Sequence, residues 1–490
     1  MPDFEPEWWW WFLCWPAYEL LRWRVLKLVR AWVQEGALRF VRTHRVRVDA
    51  VRFMDRLWLR EALLGDGEVE AAAAAAARER GVPLREVLRK VEGWALEMVP
   101  AFSIGSYYRI GASLARNAVR LAYELVFDPA QHRARLAGLS KDTIVIYVIN
   151  HRSNADYVVL SYALLRQVAL SYAVGEWARV WPLDLLFRSF GSFFIRRGEK
   201  DRLYHVVLAR FVQILVGAGG TTGFFIEGGL SRNGSLRPPK AGLLDYLVGI
   251  RRHQPDRELV FVPVGLNYDR VIEDRTLLGE AEGSAPPALW QKLRSLVGVC
   301  LRLPVLLLSN LAGLVLGAHR KLGYAAVAIG PAMKLEDWPG GVELASLPDE
   351  PRREAVKGLA AELLRRIARV VPATPVPVVC RALLTVEGAL PTTKPALLRR
   401  VRELLRELRQ AGAPIAVGRA FLEVQGEGSA MDDLDADIAA LGEAEQILDI
   451  GMANLRRRNI LRRTGDQYTV GPDNLRVVDY YARSIEQYRS

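Results

Sequence analysis

The sequence predicts an α/β protein whose central region forms a largely parallel sheet flanked by helices, with helical regions on either side. From about Asp142 onward, short apolar runs rich in β-formers alternate with helical stretches. The predicted strands are Ile144–Ile149, Phe193–Ile195, Thr222–Ile226, Leu259–Val264 and Ala325–Ile329. Helical stretches such as Tyr157–Val168 and Asp201–Val216 separate them. Strands joined through helices favour parallel pairing.

The chain of 490 residues is about three times the length of a typical domain. We predict three regions: an N-terminal helical region (1–95), the α/β region (96–345) and a C-terminal helical region (346–490). Residues 34–100 have a helical pattern that includes the helix-forming run Ala71–Ala77. After about Pro339 no further strands are predicted. The expected C-terminal helices are 350–371, 394–411 and 432–458, with a proline-rich linker at Pro372–Pro377.

The last part of the chain, residues 456–481, contains a predicted β-turn at 465–470 between two helices. This order is compatible with a winged helix. Several aspartates precede it, at positions 432, 433, 435 and 437. Because acidic residues disfavour contact with phosphates, we interpret the segment as a packing domain rather than a DNA reader.

Composition limits the class of protein. Hydrophobic residues make up 51% of the chain and charged residues 25%, which excludes general disorder. The net charge of +12 favours anionic partners such as nucleic acid, an acidic membrane surface or phosphorylated ligands. Three widely separated cysteines give neither a disulfide framework nor a cysteine-based zinc site, and they fit a reducing cytoplasm. With only six histidines, we expect no metal site.

The N-terminal segment has the pattern of a helix that lies on a membrane. Residues 1–7 lack the basic region of a signal peptide, so we do not expect secretion. The tryptophans Trp8–Trp11 and Trp15 precede a helical pattern. Its apolar positions are Tyr18, Leu21, Val25, Leu28, Val29 and Trp32, and its cationic positions include Arg24, Lys27 and Arg30. This pattern predicts an interfacial helix on anionic lipid; the alternative is a surface helix docked on its own domain.

A second apolar run, Leu303–Ala318, holds about 16 residues, fewer than the ~20 needed to span a bilayer. We expect a buried or half-inserted helix here. Any membrane association is therefore predicted to be monotopic.

The first predicted strand is followed directly by the most informative residues. His151 comes just after the strand, and Asp156 follows five residues later. Sites of parallel α/β folds gather at the carboxyl ends of strands. Ser153 or Asn154 can cap the next helix, which places Asp156 in its first turn. The carboxylate could then orient the imidazole, so that its other nitrogen accepts a proton. A capping histidine without catalytic function is the alternative.

Three further segments follow later strands in the same way. Gly191–Arg197 ends in two arginines, which can grip a phosphate. Phe224–Arg232 contains Glu227, two glycines and a final cation, and glycines let backbone N–H groups approach an anion. Val262–Tyr268 contains Pro263 and ends the fourth strand.

Taken in order, these four segments resemble the glycerol-3-phosphate acyltransferases, particularly the long membrane-associated bacterial type. His151–Tyr157 is similar to the family's His-x-x-x-x-Asp block. Gly191–Arg197 resembles its second block, Phe225–Arg232 its Glu-Gly-Gly-Arg-Ser-Arg block and Val262–Val264 its proline block. The resemblance covers Ile149–Tyr268 strongly and the helical C-terminal region more loosely.

The resemblance implies acyl transfer from a fatty acyl thioester, either acyl-CoA or acyl carrier protein, to the 1-hydroxyl of glycerol 3-phosphate. It implies that His151 is the general base and that Asp156 orients it. The substrate-binding positions it implies are Arg152, Arg196, Arg197, Glu227, Gly228, Arg232, Lys240 and Pro263. No cofactor or metal is expected. The product would be lysophosphatidate for phospholipid synthesis, made at the cytoplasmic face of the inner membrane.

One position departs from the family pattern. Leu230 stands where the family has an arginine that binds phosphate. Either Arg232, Arg237 and Lys240 compensate for it, or the acceptor differs. The first alternative is therefore an acyltransferase of the same fold that acts on lysophosphatidate, dihydroxyacetone phosphate or another lipid alcohol. A more distant alternative, suggested by the positive charge and the winged-helix-like C-terminal segment, is a nucleic-acid-binding or regulatory protein.

Overall fold

The computed structural model describes most of the chain. The described residues are 56–99, 111–140, 142–165, 167–168, 170–175, 192–196, 198–281, 321–386, 390–418, 420–421 and 433–488, together with isolated positions between 15 and 35. The run Leu303–Ala318, the tryptophans Trp8–Trp11 and Arg197 lie outside these residues.

In the described part of the chain, a sheet of eight strands forms the centre of the protein. Its strands are β1 (Glu124–Phe127), β2 (Ile144–Ile149), β3 (Ser171–Gly175), β4 (Phe193–Ile195), β5 (Thr222–Phe225), β6 (Leu259–Tyr268), β7 (Tyr324–Ile329) and β8 (Met333–Lys334). The order across the sheet is β1-β7-β6-β2-β5-β3-β4, with β8 paired to β6. Strands β2 to β6 pair in parallel, whereas β7 and β8 run antiparallel to β6. The prediction of a largely parallel α/β sheet is confirmed.

Helices cover both faces of the sheet. Those before and within the α/β region are α1 (Arg56–Leu64), α2 (Gly67–Arg80), α3 (Leu84–Met98), α4 (Ala112–Ala122), α5 (Pro129–Arg135), α6 (Asp156–Ala163), α7 (Arg202–Gly217), α8 (Gly242–Val248) and α9 (Asp274–Ala281). Helices α1–α3, α7 and α8 share a buried apolar cluster with one face of the sheet. Helices α4 and α6 pack in the cluster on the other face.

The C-terminal region is mainly helical, as predicted. Its helices are α10 (Asp349–Ala368), α11 (Pro375–Thr385), α12 (Lys394–Gln410), α13 (Asp433–Arg457) and α14 (Pro472–Arg483). The predicted linker at Pro372–Pro377 is wrong in its second half, because Pro375 begins the buried helix α11. Proline is tolerated in the first turn of a helix, where its missing N–H has no intrahelical partner.

Strands do not stop after Pro339, contrary to the prediction. Short strands follow: β9 (Thr392–Thr393), β10 (Ala416–Val417), β11 (Ala420–Phe421), β12 (Leu461–Thr464) and β13 (Gln467–Val470). Strands β12 and β13 form a hairpin at the predicted β-turn, but the turn is confined to residues 465–466, because residues 467–470 belong to β13. The helix after this hairpin, α14, buries Tyr480 and Tyr481 in the core. This burial supports the interpretation as a packing domain.

The two apolar clusters cross the predicted region boundaries. Residues of α1–α3 pack with the sheet in one cluster, and residues of α11–α14 pack with it in the other. The division at 95/96 and 345/346 stays a prediction.

At the N-terminus, the described positions between 21 and 28 are helical. Leu21, Trp23 and Leu28 are 60–71% exposed. Within the described residues, no helix is both long and apolar enough to cross a bilayer.

Candidate active site

The carboxyl end of β2 holds the central part of the site. β2 is buried along its length and lies between β5 and β6, both parallel to it. Asn150, the next residue, bonds the backbone of Leu266 on β6 through both its amide oxygen (2.7 Å) and its amide nitrogen (3.0 Å). These two hydrogen bonds fix the chain where the pairing between β2 and β6 ends. His151 follows at the carboxyl end of the parallel strands.

His151 and Asp156 form the hydrogen-bonded pair that the spacing predicted. Nδ1 of His151 lies 2.9 Å from Oδ2 of Asp156. The same carboxylate oxygen accepts the backbone N–H groups of Arg152 (2.7 Å) and Ser153 (3.1 Å). Asp156 is fully buried and His151 is 3% exposed. The acceptor at Nδ1 can hold the ring with its N–H at Nδ1 and its lone pair at Nε2.

Tyr268 is a further hydrogen-bond partner of the Asp156 carboxylate. No sequence pattern indicated this partner. Its hydroxyl donates to Oδ1 of Asp156 at 2.6 Å. Burial raises the pKa of Tyr268 well above 10, and the adjacent Asp156 carboxylate raises it further. The phenol therefore stays protonated and remains a donor. Tyr268 is the last residue of β6, which continues four residues beyond its predicted end at Val264.

Aromatic rings hold the imidazole in place. The ring of Phe225 stacks on that of His151 with centroids 4.0 Å apart, and the ring of Tyr157 meets it edge-on at 5.9 Å. Nε2 has no hydrogen-bond partner among the described residues. An oriented imidazole with one free nitrogen can accept a proton from a bound hydroxyl.

The helix that carries Asp156 has this residue in its first turn, as expected, but the predicted cap is wrong: Ala155 is the N-cap residue and no side chain caps the helix. Asp156 is the first residue of α6, and Ser153 Oγ accepts the N–H of Ala155 at 3.1 Å. The carboxylate of Glu273 accepts the N–H of Asn154 (2.6 Å) and the hydroxyl of Ser153 (2.9 Å). Glu273 lies 119 residues after Asn154, so only the three-dimensional structure identifies it.

Glu227 connects the histidine segment to the glycine-containing loop. Its Oε1 accepts the N–H of His151 and its Oε2 accepts the N–H of Arg237, both at 2.8 Å. Burial raises the pKa of this carboxyl. The backbone of Ser231 in turn donates to the carbonyl of His151 at 3.0 Å. Glu227 therefore fixes the position of the backbone around His151.

In the glycine-containing loop, Gly228 has a φ of +61°. A Cβ there would lie 2.6 Å from Cδ of Lys240, whose flexible side chain would have to move; the positive φ is what favours glycine at this position. Leu230 is half-buried and packs against the core. Its carbonyl oxygen accepts a hydrogen bond from the guanidinium of Arg237 at 3.1 Å. Arg237 thus brings a cation to the loop in which Leu230 replaces the arginine of the family pattern.

The other substrate-binding positions from the sequence have varied surroundings. Arg152 is 1% exposed, and its guanidinium donates to the carbonyls of Gly234 and Ser484. Pro263 lies in β6 opposite Val148 of β2. Arg232 is half-exposed and lies 3.5 Å from Glu280. Their assignment as substrate-binding residues stays a prediction.

Arg196 follows β4, at the same edge of the sheet as His151. Its guanidinium makes two hydrogen bonds to Glu97, at 2.7 and 3.0 Å. This ion pair raises the pKa of Arg196. Arg196 therefore ties helix α3 to the end of β4, and its role towards a phosphate stays a prediction.

An apolar groove of about 480 Å³ lies beside the pair on the α4 and α6 side of the sheet. Its walls include Val119 and Ala122 from α4, Val158 from α6 and Ile272. Asn154 and Ala155, which lie between His151 and Asp156 in sequence, also line it. No cluster of potential metal ligands occurs among the described residues.

Comparison with known families identifies the class of this α/β region. Residues 134–267, which contain the His151–Asp156 pair, match the family model for acyltransferases. Residues 309–433 match the C-terminal region of glycerol-3-phosphate acyltransferases. The resemblance found in the sequence is confirmed in both parts of the chain.

Curated relatives of this chain are named glycerol-3-phosphate acyltransferase. The chain is 32% identical over 254 residues to a glycerol-3-phosphate acyltransferase of Aeromonas hydrophila, covering 50% of this chain and 31% of the relative. It is 29% identical over 359 residues to the glycerol-3-phosphate acyltransferase of Xanthomonas campestris. That alignment covers 71% of this chain and 39% of the relative. The matched part thus spans about a third of the length of these relatives. Among solved structures, a 1-acyl-sn-glycerophosphate acyltransferase from Thermotoga maritima aligns with 52% of this chain and 79% of its own, at 16% identity and a TM-score of 0.30.

Proposed function

We propose that this protein transfers a fatty acyl group from an acyl thioester to the 1-hydroxyl of glycerol 3-phosphate. The observation that carries the proposal is the buried His151–Asp156 pair at the carboxyl end of β2, at 2.9 Å, within the matched acyltransferase domain. The curated relatives with the name glycerol-3-phosphate acyltransferase support this choice of acceptor.

In the proposed reaction, Nε2 of His151 removes the proton of the 1-hydroxyl as its oxygen attacks the thioester carbonyl. Asp156 stabilises the imidazolium that forms, and Tyr268 and the backbone N–H groups hold Asp156 in place. The tetrahedral intermediate then expels the thiolate, which takes up the proton. We expect no metal or prosthetic group, because a thioester is already activated and mainly needs a positioned hydroxyl.

The apolar groove beside α6 is the proposed site of the acyl chain. Its lining is predominantly aliphatic, and one wall is formed by the residues just before Asp156. Burying a hydrocarbon chain stabilises a complex by about 0.8 kcal/mol per CH₂. A groove next to the proton-accepting histidine is therefore suited to hold an acyl chain while its thioester carbonyl faces Nε2.

We also propose that the protein binds the surface of an anionic membrane without spanning it. Exposed Leu21, Trp23 and Leu28 together with Arg24 and Lys27 support this. Apolar side chains can enter the headgroup region while the cations contact anionic lipid. The cytoplasmic face of the inner membrane is the proposed location, and lysophosphatidate for phospholipid synthesis is the proposed product.

A second candidate is an acyltransferase with a different acceptor, either lysophosphatidate or dihydroxyacetone phosphate. Leu230 favours it, because an apolar side chain stands where the family has a phosphate-binding arginine. An acceptor panel with one acyl-CoA distinguishes the candidates. We expect the highest kcat/KM with glycerol 3-phosphate. Activity with another acceptor and none with glycerol 3-phosphate would overturn the first candidate and support the second.

A further inference from the structure

A basic pocket of about 890 Å³ opens between helices α7, α8 and α10, away from the apolar groove. Its cationic side chains are Lys200, Arg202, Arg252, Arg352, Arg353 and Lys357. Two carboxylates, Glu68 and Asp245, line it as well. Cations are therefore in clear excess in this concave surface. Such an excess attracts ligands with several negative charges.

Part of this positive charge is unpaired. Asp245 is engaged by Arg352 at 3.0 Å, and Lys357 is paired with Glu354 at 2.9 Å. In contrast, Lys200 Nζ and the guanidinium of Arg202 have no ion-pair partner among the described residues. Both side chains are exposed at the start of α7. They are available to a bound anion without breaking a contact of the fold.

The pocket begins at the edge of the sheet that carries His151. Lys200 and Arg202 follow β4, and Ala241 and Gly242 follow the loop after β5; both strands run parallel to β2. The N–H of Lys240 donates to Ile226 at 2.8 Å, and that of Ile226 donates to Ile149 at 3.1 Å. The basic pocket therefore lies on the α7 and α8 side of the sheet, and the apolar groove lies on the α4 and α6 side.

We propose that the basic pocket binds the phosphorylated nucleotide end of a coenzyme A thioester, its 3′-phosphoadenosine diphosphate. This inference rests on the proposed function. The pocket's volume is within the usual range of small-molecule sites. Three phosphates supply negative charge for Lys200 and Arg202, which have no ion-pair partner among the described residues, and for Arg353, which lies 3.6 Å from Glu350. Val206, Ala209 and Val356 provide apolar wall for the adenine. The flexible pantetheine arm then runs from the pocket to the thioester at His151.

The first test is direct binding of 3′,5′-ADP to the full chain by isothermal titration calorimetry. The double variant Lys200→Gln, Arg202→Gln should raise Kd about ten- to a hundredfold, because two charge-assisted contacts are lost. Arg353→Gln, on α10, tests the opposite wall independently and should raise Kd as well. Arg406→Gln is the matched control: it removes an exposed arginine of α12 that has no ion-pair partner among the described residues. Equal Kd values for the wild type and both pocket variants would overturn the proposal.

The second test compares acyl-CoA with an acyl-pantetheine that lacks the nucleotide. The double variant should lower kcat/KM for acyl-CoA at least tenfold and leave that for acyl-pantetheine and the KM for glycerol 3-phosphate unchanged. Equal losses with both donors would contradict the proposal. So would a loss confined to acyl carrier protein, which would indicate protein docking.

These two tests separate the pocket from the proposed reaction. A chain that binds 3′,5′-ADP through Lys200 and Arg202 but transfers no acyl group would keep the pocket and overturn the proposed function. A chain that transfers acyl groups but shows no Lys200- or Arg202-dependent binding would do the reverse.

Discussion

The hydroxyl of Tyr268 donates to Oδ1 of Asp156 at 2.6 Å, on the oxygen that His151 does not use. The two residues are 112 positions apart and come together because β6 extends past the end of β2. Both are fully buried. The hydrogen-bonded chain His151–Asp156–Tyr268 therefore links the proposed base to the most buried part of the sheet.

Replacing Tyr268 by Phe should shift the pH profile as well as lower the rate. Without the phenol, the Asp156 carboxylate carries more negative charge towards the imidazole and favours the imidazolium. We expect kcat to fall about tenfold, the size of one lost hydrogen bond to a charged group. The acidic limb of kcat/KM should move to higher pH. Tyr123→Phe is the control, because that hydroxyl bonds the carbonyl of Arg270 at 2.8 Å and not Asp156. Equal pH profiles for Tyr268→Phe and the wild type would refute the positioning role.

We expect Arg237 to bind the acceptor phosphate in place of the family's arginine, whose position Leu230 occupies in this chain. Its guanidinium reaches the carbonyl of Leu230 at 3.1 Å, in the loop next to Glu227. Arg237→Ala should raise the KM for glycerol 3-phosphate about ten- to a hundredfold, with little change in the KM for acyl-CoA. Initial rates with both substrates varied measure this. If both KM values rise together, Arg237 is structural rather than a phosphate ligand.

Leu230→Arg is the complementary variant. If Arg237 already serves the phosphate, the added guanidinium should leave the KM for glycerol 3-phosphate equal or lower. A variant that acquires activity on glycerol 3-phosphate, absent from the natural chain, would instead favour another natural acceptor.

Asp269 is expected to make stability depend on pH. Its carboxylate is fully buried and accepts the N–H groups of Tyr324 and Val376, both at 2.9 Å. Burial raises its pKa to about 6 from an ordinary value near 3.8. The folded state therefore holds this proton more tightly than the unfolded state, and the free energy of unfolding falls as pH rises from about 4 to about 6. The contribution lost is on the order of 3 kcal/mol.

Urea unfolding of the wild type and Asp269→Asn at pH 4 and pH 7 isolates this contribution. Relative to the variant, the wild type should lose stability between the two pH values. A constant difference between the two proteins would show that Asp269 does not titrate in this range.

The N-terminal cations are expected to strengthen membrane binding. Lys27 Nζ lies 4.9 Å from the ring centroid of Trp23, so a cation and an indole are presented together. Arg24→Gln with Lys27→Gln should weaken binding to anionic vesicles by about 1 kcal/mol per charge. Flotation with phosphatidylglycerol vesicles measures this, with Arg406→Gln as the control. Unchanged flotation of the double variant would assign the membrane contact to another part of the chain.

Sequence periodicity was sufficient for two wholly apolar strands. β2 and β4 begin and end as predicted, and the β12–β13 hairpin follows its turn residues. β1 and β3 were missed. The four-residue β1 follows directly on α4, and β3 contains Ser171 and ends in Gly175, so neither has a distinctive apolar run. The prolines of Pro372–Pro377 have the pattern of a linker, although a buried helix begins among them.

The same limit applies to the site. His151 and Asp156 are five residues apart, so their contact could be predicted from local geometry. Tyr268 and Glu273 reach the same segment from more than 100 residues away. Such partners depend on strand order and on how far β6 extends, which a single sequence does not encode in any local pattern.

The central claim is tested most directly by the rate at which His151→Ala acylates labelled glycerol 3-phosphate from acyl-CoA, relative to the wild type. Removing the proton acceptor should lower kcat about 10²–10⁴-fold. The thermal unfolding midpoint should be nearly unchanged. This measurement distinguishes a loss of catalysis from a loss of folding caused by removing a buried ring. Turnover close to that of the wild type would contradict the assignment of His151 as the base.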